Sequence, residues 1–155
     1  MTTGIDVDPE GNAPNSLGSL DSCIEVAPGD TFDIDIYVRD VPPVQAGPPI
    51  DRDGIIGYSY NLIFDGEVVE VVEIESSLMT AAAGPDQTFI VIDGDYFGSA
   101  DDLPSTSGNV RVDYADVGGP VEGGDGVLSR VTLRALDDGV RALELRDDPS
   151  SADVP

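Results

Sequence analysis

Apolar and polar residues alternate along several stretches of this chain, and this alternation is the main signal for its secondary structure. In the stretch 31–38, Phe32, Ile34, Ile36 and Val38 fall on one side of an extended chain, and Asp33, Asp35 and Tyr37 fall on the other. A strand that packs on a core with one side and meets water with the other has this period of two. The stretch therefore predicts a half-buried β-strand.

Other stretches that alternate, or that are rich in β-branched residues, predict the remaining strands. They are 5–7, 23–26, 57–64, 68–75, 88–93, 110–114, 127–135 and 140–145. Turn sequences such as Asp65-Gly66 and Asp138-Gly139 separate them. About nine strands without a convincing long helix predict an all-β protein, an antiparallel β-sandwich. We expect one domain over residues 1–146 and a linker stub over 147–155.

Composition excludes several classes of function. The 155 residues include 31 acids and 7 Arg or Lys, all of them Arg, for a net charge of −24, and there is no His. Without His, the chain has no Ser-His-Asp machinery and no His-ligated zinc. Such an acidic chain is a poor ligand for nucleic acid or for an anionic membrane surface. No apolar run is long enough to span a bilayer, so we expect no membrane insertion.

The acids are spread along the whole chain, which predicts a solvated acidic surface. Adaptation to high salt is a sharper hypothesis, because salt screens the repulsion among these charges. The first residues lack the basic and apolar regions of a signal peptide. We expect an extracellular or cell-surface module that is cut from a longer secreted protein.

Three stretches, in order, resemble the cohesin family. Residues 55–64 form an aromatic-alternating strand, and Asp65-Gly66 and a Val-Val-Glu-Val-Val strand follow it. Residues 126–136 read Gly-Val-Leu-Ser-Arg-Val-Thr-Leu-Arg-Ala-Leu, similar to the Gly-x-Leu-Ala-x-Ile-x-Phe-x-Ala strand of cohesins. Residues 26–38 match the family's Val-x-x-Gly-x-x-Phe-x-Val-x-Val opening. The resemblance covers roughly 24–145 and implies a nine-stranded jelly-roll sandwich, related to family 3 cellulose-binding modules.

The resemblance also implies a partner, because cohesins bind dockerins, which are small calcium-loaded helical modules. Their docking face uses outward residues of the aromatic-alternating strand, and the matching positions here are Gly57, Ser59, Asn61 and Ile63. Tyr37, on the polar side of its own strand, is a further candidate. The sequence departs from the family at Gly66, where Pro is usual, and in a Pro-rich insertion at 41–54.

Two acidic loops are candidates for calcium, which takes six to eight oxygen ligands. One is Asp51-Arg52-Asp53-Gly54, and the other carries Asp93, Asp95, Asp101 and Asp102. The alternative is that these Asp side chains accept hydrogen bonds from the backbone of their own turns. Both interpretations stay open at this point.

Aromatic residues and the single cysteine complete the set of candidates. Tyr58 and Tyr60 share a face with Leu62 and Phe64, which predicts core packing, whereas Tyr37, Tyr96 and Tyr114 are expected to point outward. Cys23 is expected to be buried as a small hydrophobe, with an intermolecular disulfide as the alternative.

We therefore predict a non-catalytic recognition or assembly module that binds a protein partner, either a dockerin-like module or a neighbouring copy. A calcium-assisted structural module of a surface layer or filament, which would self-associate, is one alternative. A module that binds soluble glycans through Tyr37 and Tyr96 is another. No enzyme is expected, because carboxylates are the only candidates for catalysis and a small sandwich has little room for a deep cleft.

Overall fold

The structure is a computed structural model, and it describes residues 1–42, 54–55, 57–76, 79, 87–93, 103–116 and 123–146. For 87–93 and 115–116 it describes the backbone. Every structural statement below concerns these residues.

Eight strands form two four-stranded antiparallel sheets. The strands are β1 (Thr2–Asp6), β2 (Thr31–Val41), β3 (Gly57–Ile63), β4 (Val69–Glu75), β5 (Gln87–Asp93), β6 (Asn109–Asp116), β7 (Gly124–Ala135) and β8 (Glu144–Arg146). The first sheet has the order β1-β2-β7-β4 and the second has the order β5-β6-β3-β8. The expected all-β antiparallel sandwich is confirmed. The count of nine strands and the jelly-roll connectivity stay predictions.

Alternation along the strands builds the core between the sheets. In the first sheet, Ile34 of β2 lies opposite Val131 of β7, and both side chains are fully buried. In the second sheet, Leu62 of β3 lies opposite Val110 of β6, and both are again fully buried. Because each strand turns every second side chain inward, these residues meet in one apolar cluster. The predicted inward faces of β2 and β3 are therefore confirmed.

Asp35 contradicts the simple pattern of β2. It was expected on a wet face, but it is fully buried, as is Asp6, its partner in the register of β1. The loop after β1 covers both residues, and the Nδ2 atom of Asn12 donates to one carboxylate oxygen of each at 2.9 Å. Arg130 of β7 completes the cluster with two hydrogen bonds to Asp35, at 2.8 and 2.9 Å. Buried carboxylates need such partners.

The strand expected over 23–26 does not form. These residues belong to a described connection without regular structure, and Cys23 is exposed, so its expected burial is also wrong. The strand expected over 140–145 shrinks to β8, and Val140 is 94% exposed. In both segments, β-branched or apolar residues favour extended chain, but a strand also requires a partner for its backbone groups.

Gly66, one of the departures from the cohesin pattern, has a steric reason. A Cβ atom at this position would collide with the backbone carbonyl of Thr106. The segment that contains Thr106 is held in place by Ser105, whose backbone exchanges two hydrogen bonds with Val71, at 2.8 and 2.9 Å. Only glycine leaves room for this close approach of two chain segments.

Candidate functional site

The outer face of the second sheet carries the predicted partner-binding residues of β3. Tyr60 and Leu62 point inward, so the residues between them point outward. Gly57 and Ser59 are exposed, and Asn61 and Ile63 are half-buried. The four positions thus share one face, and their binding role stays a prediction.

Tyr37 lies elsewhere. It belongs to β2 of the first sheet, is half-buried, and lies across Gly4, which is opposite it in the register of β1. A side chain on Gly4 would overlap the Tyr37 ring, so the glycine makes room for it. The structure therefore separates Tyr37 from the four candidates of β3.

A polar network joins β3 to β6 on the outer face of the second sheet. Ser59 donates to the Oδ1 atom of Asp113, its partner in register, at 2.7 Å. Arg111 donates from Nε to Oδ2 of Asp113 at 2.8 Å and from Nη2 to Oδ1 at 3.0 Å. The two charged side chains are only 19% and 28% exposed. A two-pronged contact of this kind holds both groups in a defined geometry.

The short strand β8 adds a second ion pair to this face. Arg146 lies opposite Asn61 in register and donates to Glu144 at 2.9 Å. This hydrogen bond lowers the pKa of the Glu144 carboxyl and raises the pKa of the Arg146 guanidinium. Sequence reasoning missed Arg111, Asp113, Glu144 and Arg146, although Arg111 and Asp113 alternate with Val110 and Val112 and could have been recognised from that alternation.

The two outer faces of the sandwich differ in charge. Among the described side chains, the face of β6, β3 and β8 has two Arg (Arg111 and Arg146) and two carboxylates (Asp113 and Glu144), and is balanced. On the outer face of the first sheet, six carboxylates stand against two Arg. These are Asp6, Asp33, Asp35, Glu70, Glu73 and Glu75, with Arg130 and Arg134. A further ion pair, Arg39 with Asp125, adds no net charge. In an otherwise acidic chain, the balanced face stands out.

Three tyrosines support this face from beneath. Tyr58 stacks on Tyr60 and on Tyr114, with ring centroids 6.1 and 5.2 Å apart. Their expected core packing is confirmed for Tyr58 and Tyr60, whereas Tyr114 was expected outward and is buried, at 4% exposure. Val110 and Val112 also point inward, so the period of two extends to Tyr114.

Hydroxyl groups of the same cluster connect the two sheets. Tyr60 shares a hydrogen bond of 2.5 Å with Ser129 of β7, and Tyr58 donates to the backbone carbonyl of Leu128 at 2.7 Å. Tyr58 also contacts the carbonyl of Ser76, just beyond β4. Burial raises the pKa of both phenols well above their ordinary value. The second sheet is therefore attached to the first by polar contacts as well as by apolar packing.

The calcium candidates fall largely outside the described residues. This is true of Asp51, Asp53, Asp95, Asp101 and Asp102, and for Asp93 only the backbone at the end of β5 is described. Among the side chains that the structure does describe, no group of three or more acidic or cysteine residues is arranged to hold a metal ion. The calcium site stays a prediction.

Comparison with known proteins identifies the fold. One chain of a crystal structure of a CaDoc0917–CaCohA2 complex is similar with a TM-score of 0.52 and 17% identity, over 79% of this chain and 74% of that chain. The second type II cohesin module of the adaptor ScaA scaffoldin of Acetivibrio cellulolyticus gives a TM-score of 0.51 and 14% identity, over 98% and 75%. The seventh ScaB type I cohesin from Pseudobacteroides cellulosolvens gives a TM-score of 0.49 and 17% identity, over 76% of this chain and 66% of that chain.

The first two of these neighbours confirm a cohesin-like fold, and at such low identity the similarity concerns the fold alone. No protein-family model and no curated protein sequence matches the chain. Among the described residues, no helix is long and apolar enough to cross a membrane.

Proposed function

We propose that this chain is a non-catalytic recognition module of cohesin type, which docks a protein partner on the outer face of the β5-β6-β3-β8 sheet. The observation that carries the proposal is the balanced charge of this face, with Ser59, Arg111 and Asp113 joined by hydrogen bonds of 2.7 to 3.0 Å. Polar groups that are already held in one geometry lose little conformational freedom when a partner binds.

The shape of the face suits a protein more than a small molecule. A sheet surface is nearly flat, and half-buried Ile63 and Asn61 lie between the two ion pairs of β6 and β8. Protein interfaces typically have an apolar centre with polar groups around it. The partner that fits best is a dockerin-like module, since one of the similar folds is named as a cohesin module of a scaffoldin.

Electrostatics set a preference for the partner. The net charge of −24 attracts basic molecules over a distance and repels acidic ones. The docking face adds no such repulsion, because its four described charges cancel. We infer that the partner is basic, or carries bound cations. Its charge favours approach to the acidic molecule, and the balanced docking face also tolerates an acidic contact residue.

We infer that the module lies outside the cell, as part of a longer surface or secreted protein. Lack of catalysis fits the composition, because a chain without His has no general base that titrates near neutral pH by default. A scaffoldin module of similar fold supports the assembly role, in which the sandwich is a rigid support for its docking face.

Binding measurements with variants of the face test the proposal. Calcium-loaded dockerin modules from the same genome are titrated onto the immobilised protein. Ser59→Arg places a long cation at the Asp113 network, and Ile63→Asp removes the apolar centre, so each is expected to weaken binding tenfold or more. Ser19→Arg makes the same change at another exposed serine, in the loop after β1, and is the matched control.

The outcomes are distinct. Loss of binding with Ser59→Arg and retention with Ser19→Arg, at unchanged melting temperatures, support the docking face. Equal affinity of all variants contradicts the assignment of the face. Absence of binding to every dockerin contradicts the dockerin-like partner, and light scattering then reports whether copies of the chain associate with each other.

A further inference from the structure

A cleft of about 870 Å³ opens where the edges of the two sheets meet, beside β1 of the first sheet and β8 of the second. We define it by four half-buried apolar side chains that both line it and pack against the core. They are Ile5, Phe32, Leu143 and Leu145. The cleft therefore exposes part of the apolar interior to solvent at the side of the sandwich.

One wall of the cleft is an open strand edge. β1 is the last strand of its sheet, and within the described ranges its outer edge has no pairing strand. Thr3, Gly4 and Ile5 line the cleft, so unpaired backbone N–H and C=O groups of the edge lie next to apolar surface. Natural edge strands are commonly guarded by Lys or Pro. β1 has neither, and its one charged residue, Asp6, is buried under Asn12.

The rim of the cleft is acidic. Four exposed carboxylates line it: Glu25, Asp137, Asp138 and Glu144, the last of which is paired with Arg146. The rim also contains Arg141, but its Nε atom already donates to Asp65 at 2.5 Å, and this hydrogen bond lowers the pKa of the Asp65 carboxyl. The field at the mouth of the cleft therefore favours a cation.

We propose that the cleft receives an extended segment of a partner protein, which adds a strand to β1 and carries Lys or Arg between apolar residues. An added strand satisfies the open backbone edge. Its side chains alternate, so every second residue enters the apolar cleft while the residues between them reach the acidic rim. A small apolar ligand would use the cleft but neither the strand edge nor the rim charges. This site shares Glu144 with the docking face and otherwise consists of different residues.

Two labelled nine-residue peptides test the proposal, one alternating Val with Lys and the other alternating Val with Glu. Fluorescence anisotropy measures their binding, and amide NMR spectra locate it. The lysine peptide is expected to bind at least tenfold more tightly. It should shift the amide signals of Thr3, Gly4 and Ile5, and the signals of Ser59 and Asn61 should not move. Binding of neither peptide, or shifts confined to the docking face, would overturn the proposal.

A pair of double variants separates rim recognition from general attraction to an acidic protein. Asp137→Lys with Asp138→Lys reverses two rim charges, and Glu10→Lys with Glu73→Lys makes the same change in net charge at exposed sites elsewhere. The rim variant is expected to bind the lysine peptide about tenfold more weakly than the control variant, since the loss of each surface charge pair weakens binding by up to about fivefold. Equal affinity of the two variants would show non-specific attraction and overturn the site.

Discussion

At the scale of single residues, the buried hydroxyls of Tyr58 and Tyr60 are the most informative groups. They cross the space between the sheets, and their hydrogen-bond partners belong to β7 and to the residue after β4. An apolar core would pack without them. Their presence means that the sheets are held in one relative position by contacts with defined direction.

Removing one partner of the Tyr60–Ser129 contact should destabilise the fold. Tyr60→Phe and Ser129→Ala each leave a buried hydroxyl without its partner, which costs about 1–3 kcal/mol of unfolding free energy. The double variant is expected to lose less than the sum of the two single losses, because neither partner then remains. Urea unfolding measures all four proteins, and strictly additive losses would contradict this coupling.

Alkaline pH should weaken the fold through the same tyrosines. Burial raises the pKa of Tyr58 and Tyr60 above 10.0, so the folded protein retains protons that the unfolded chain releases. Their contribution to stability is therefore complete below about pH 10 and is lost as pH rises above that value. Melting temperatures between pH 8 and 11.5 test this, and Tyr60→Phe should show a shallower decline. A melting temperature that stays constant to pH 11.5 would argue against it.

The limits of prediction from sequence are also visible at this scale. The alternation of β2 correctly assigned Ile34 and Ile36 to the core, because a local pattern determines which side of a strand is apolar. The same pattern wrongly predicted that Asp35 is exposed to solvent. Its burial depends on Asn12, which is 23 residues away in sequence, and on Arg130, which is 95 away. Contacts between residues so far apart in the chain do not show in the local alternation of apolar and polar residues.

At the scale of elements, the loop after β1 behaves as a cover for the outer face of the first sheet. Asn12 is its anchor, since the Oδ1 atom accepts a hydrogen bond from the backbone of Gly18 at 2.7 Å while Nδ2 donates to both buried carboxylates. The backbone N–H of Asp21 closes the loop with a hydrogen bond of 2.8 Å to Asp6.

Asn12→Ala should therefore destabilise the protein and loosen this loop. Two buried carboxylates lose a shared donor, which costs about 1–3 kcal/mol, and amide hydrogen exchange at Asp21 should become faster. Asn15→Ala is the matched control, because Asn15 is exposed in the same loop and should change stability by no more than about 0.5 kcal/mol. Equal effects of the two substitutions would mean that Asn12 is not an anchor.

Elements were predicted well where two strands pair and poorly where one stands alone. The sequence predicted β3 to within one residue of each end, and β6 and β7 to within three, since each has a strong period of two and lies beside another strand. The segment 23–26 has equally suitable residues but no pairing strand. The outer face of the second sheet was half predicted, because the resemblance pointed to β3 and not to its neighbours β6 and β8.

At the scale of the whole molecule, charge is the dominant property. A net charge of −24 on 155 residues produces repulsion that opposes the compact state. The ion pairs around Asp35 and Asp113 relieve it locally, but seven Arg cannot neutralise 31 acids.

Salt should raise the melting temperature. Between 0.1 and 1 M KCl the screening length falls from about 10 to about 3 Å, and we expect an increase of at least about 3 °C, the equivalent of about 1 kcal/mol for a domain of this size. The variant with Glu10→Lys and Glu73→Lys has less repulsion to relieve and should respond less. If the melting temperature of both proteins does not change with salt, charge repulsion does not limit the stability of the fold.

Because the edge of β1 is open, the negative charge also affects whether the protein stays dispersed or aggregates. Two copies that meet edge to edge could continue one sheet into the next, and β1 itself carries neither Lys nor Pro to prevent it. Mutual repulsion between like-charged molecules is then the barrier that keeps the protein dispersed. Concentrated salt would strengthen each folded molecule while it lowers that barrier, so the conditions that protect the protein best against heat are those in which it is most prone to aggregate.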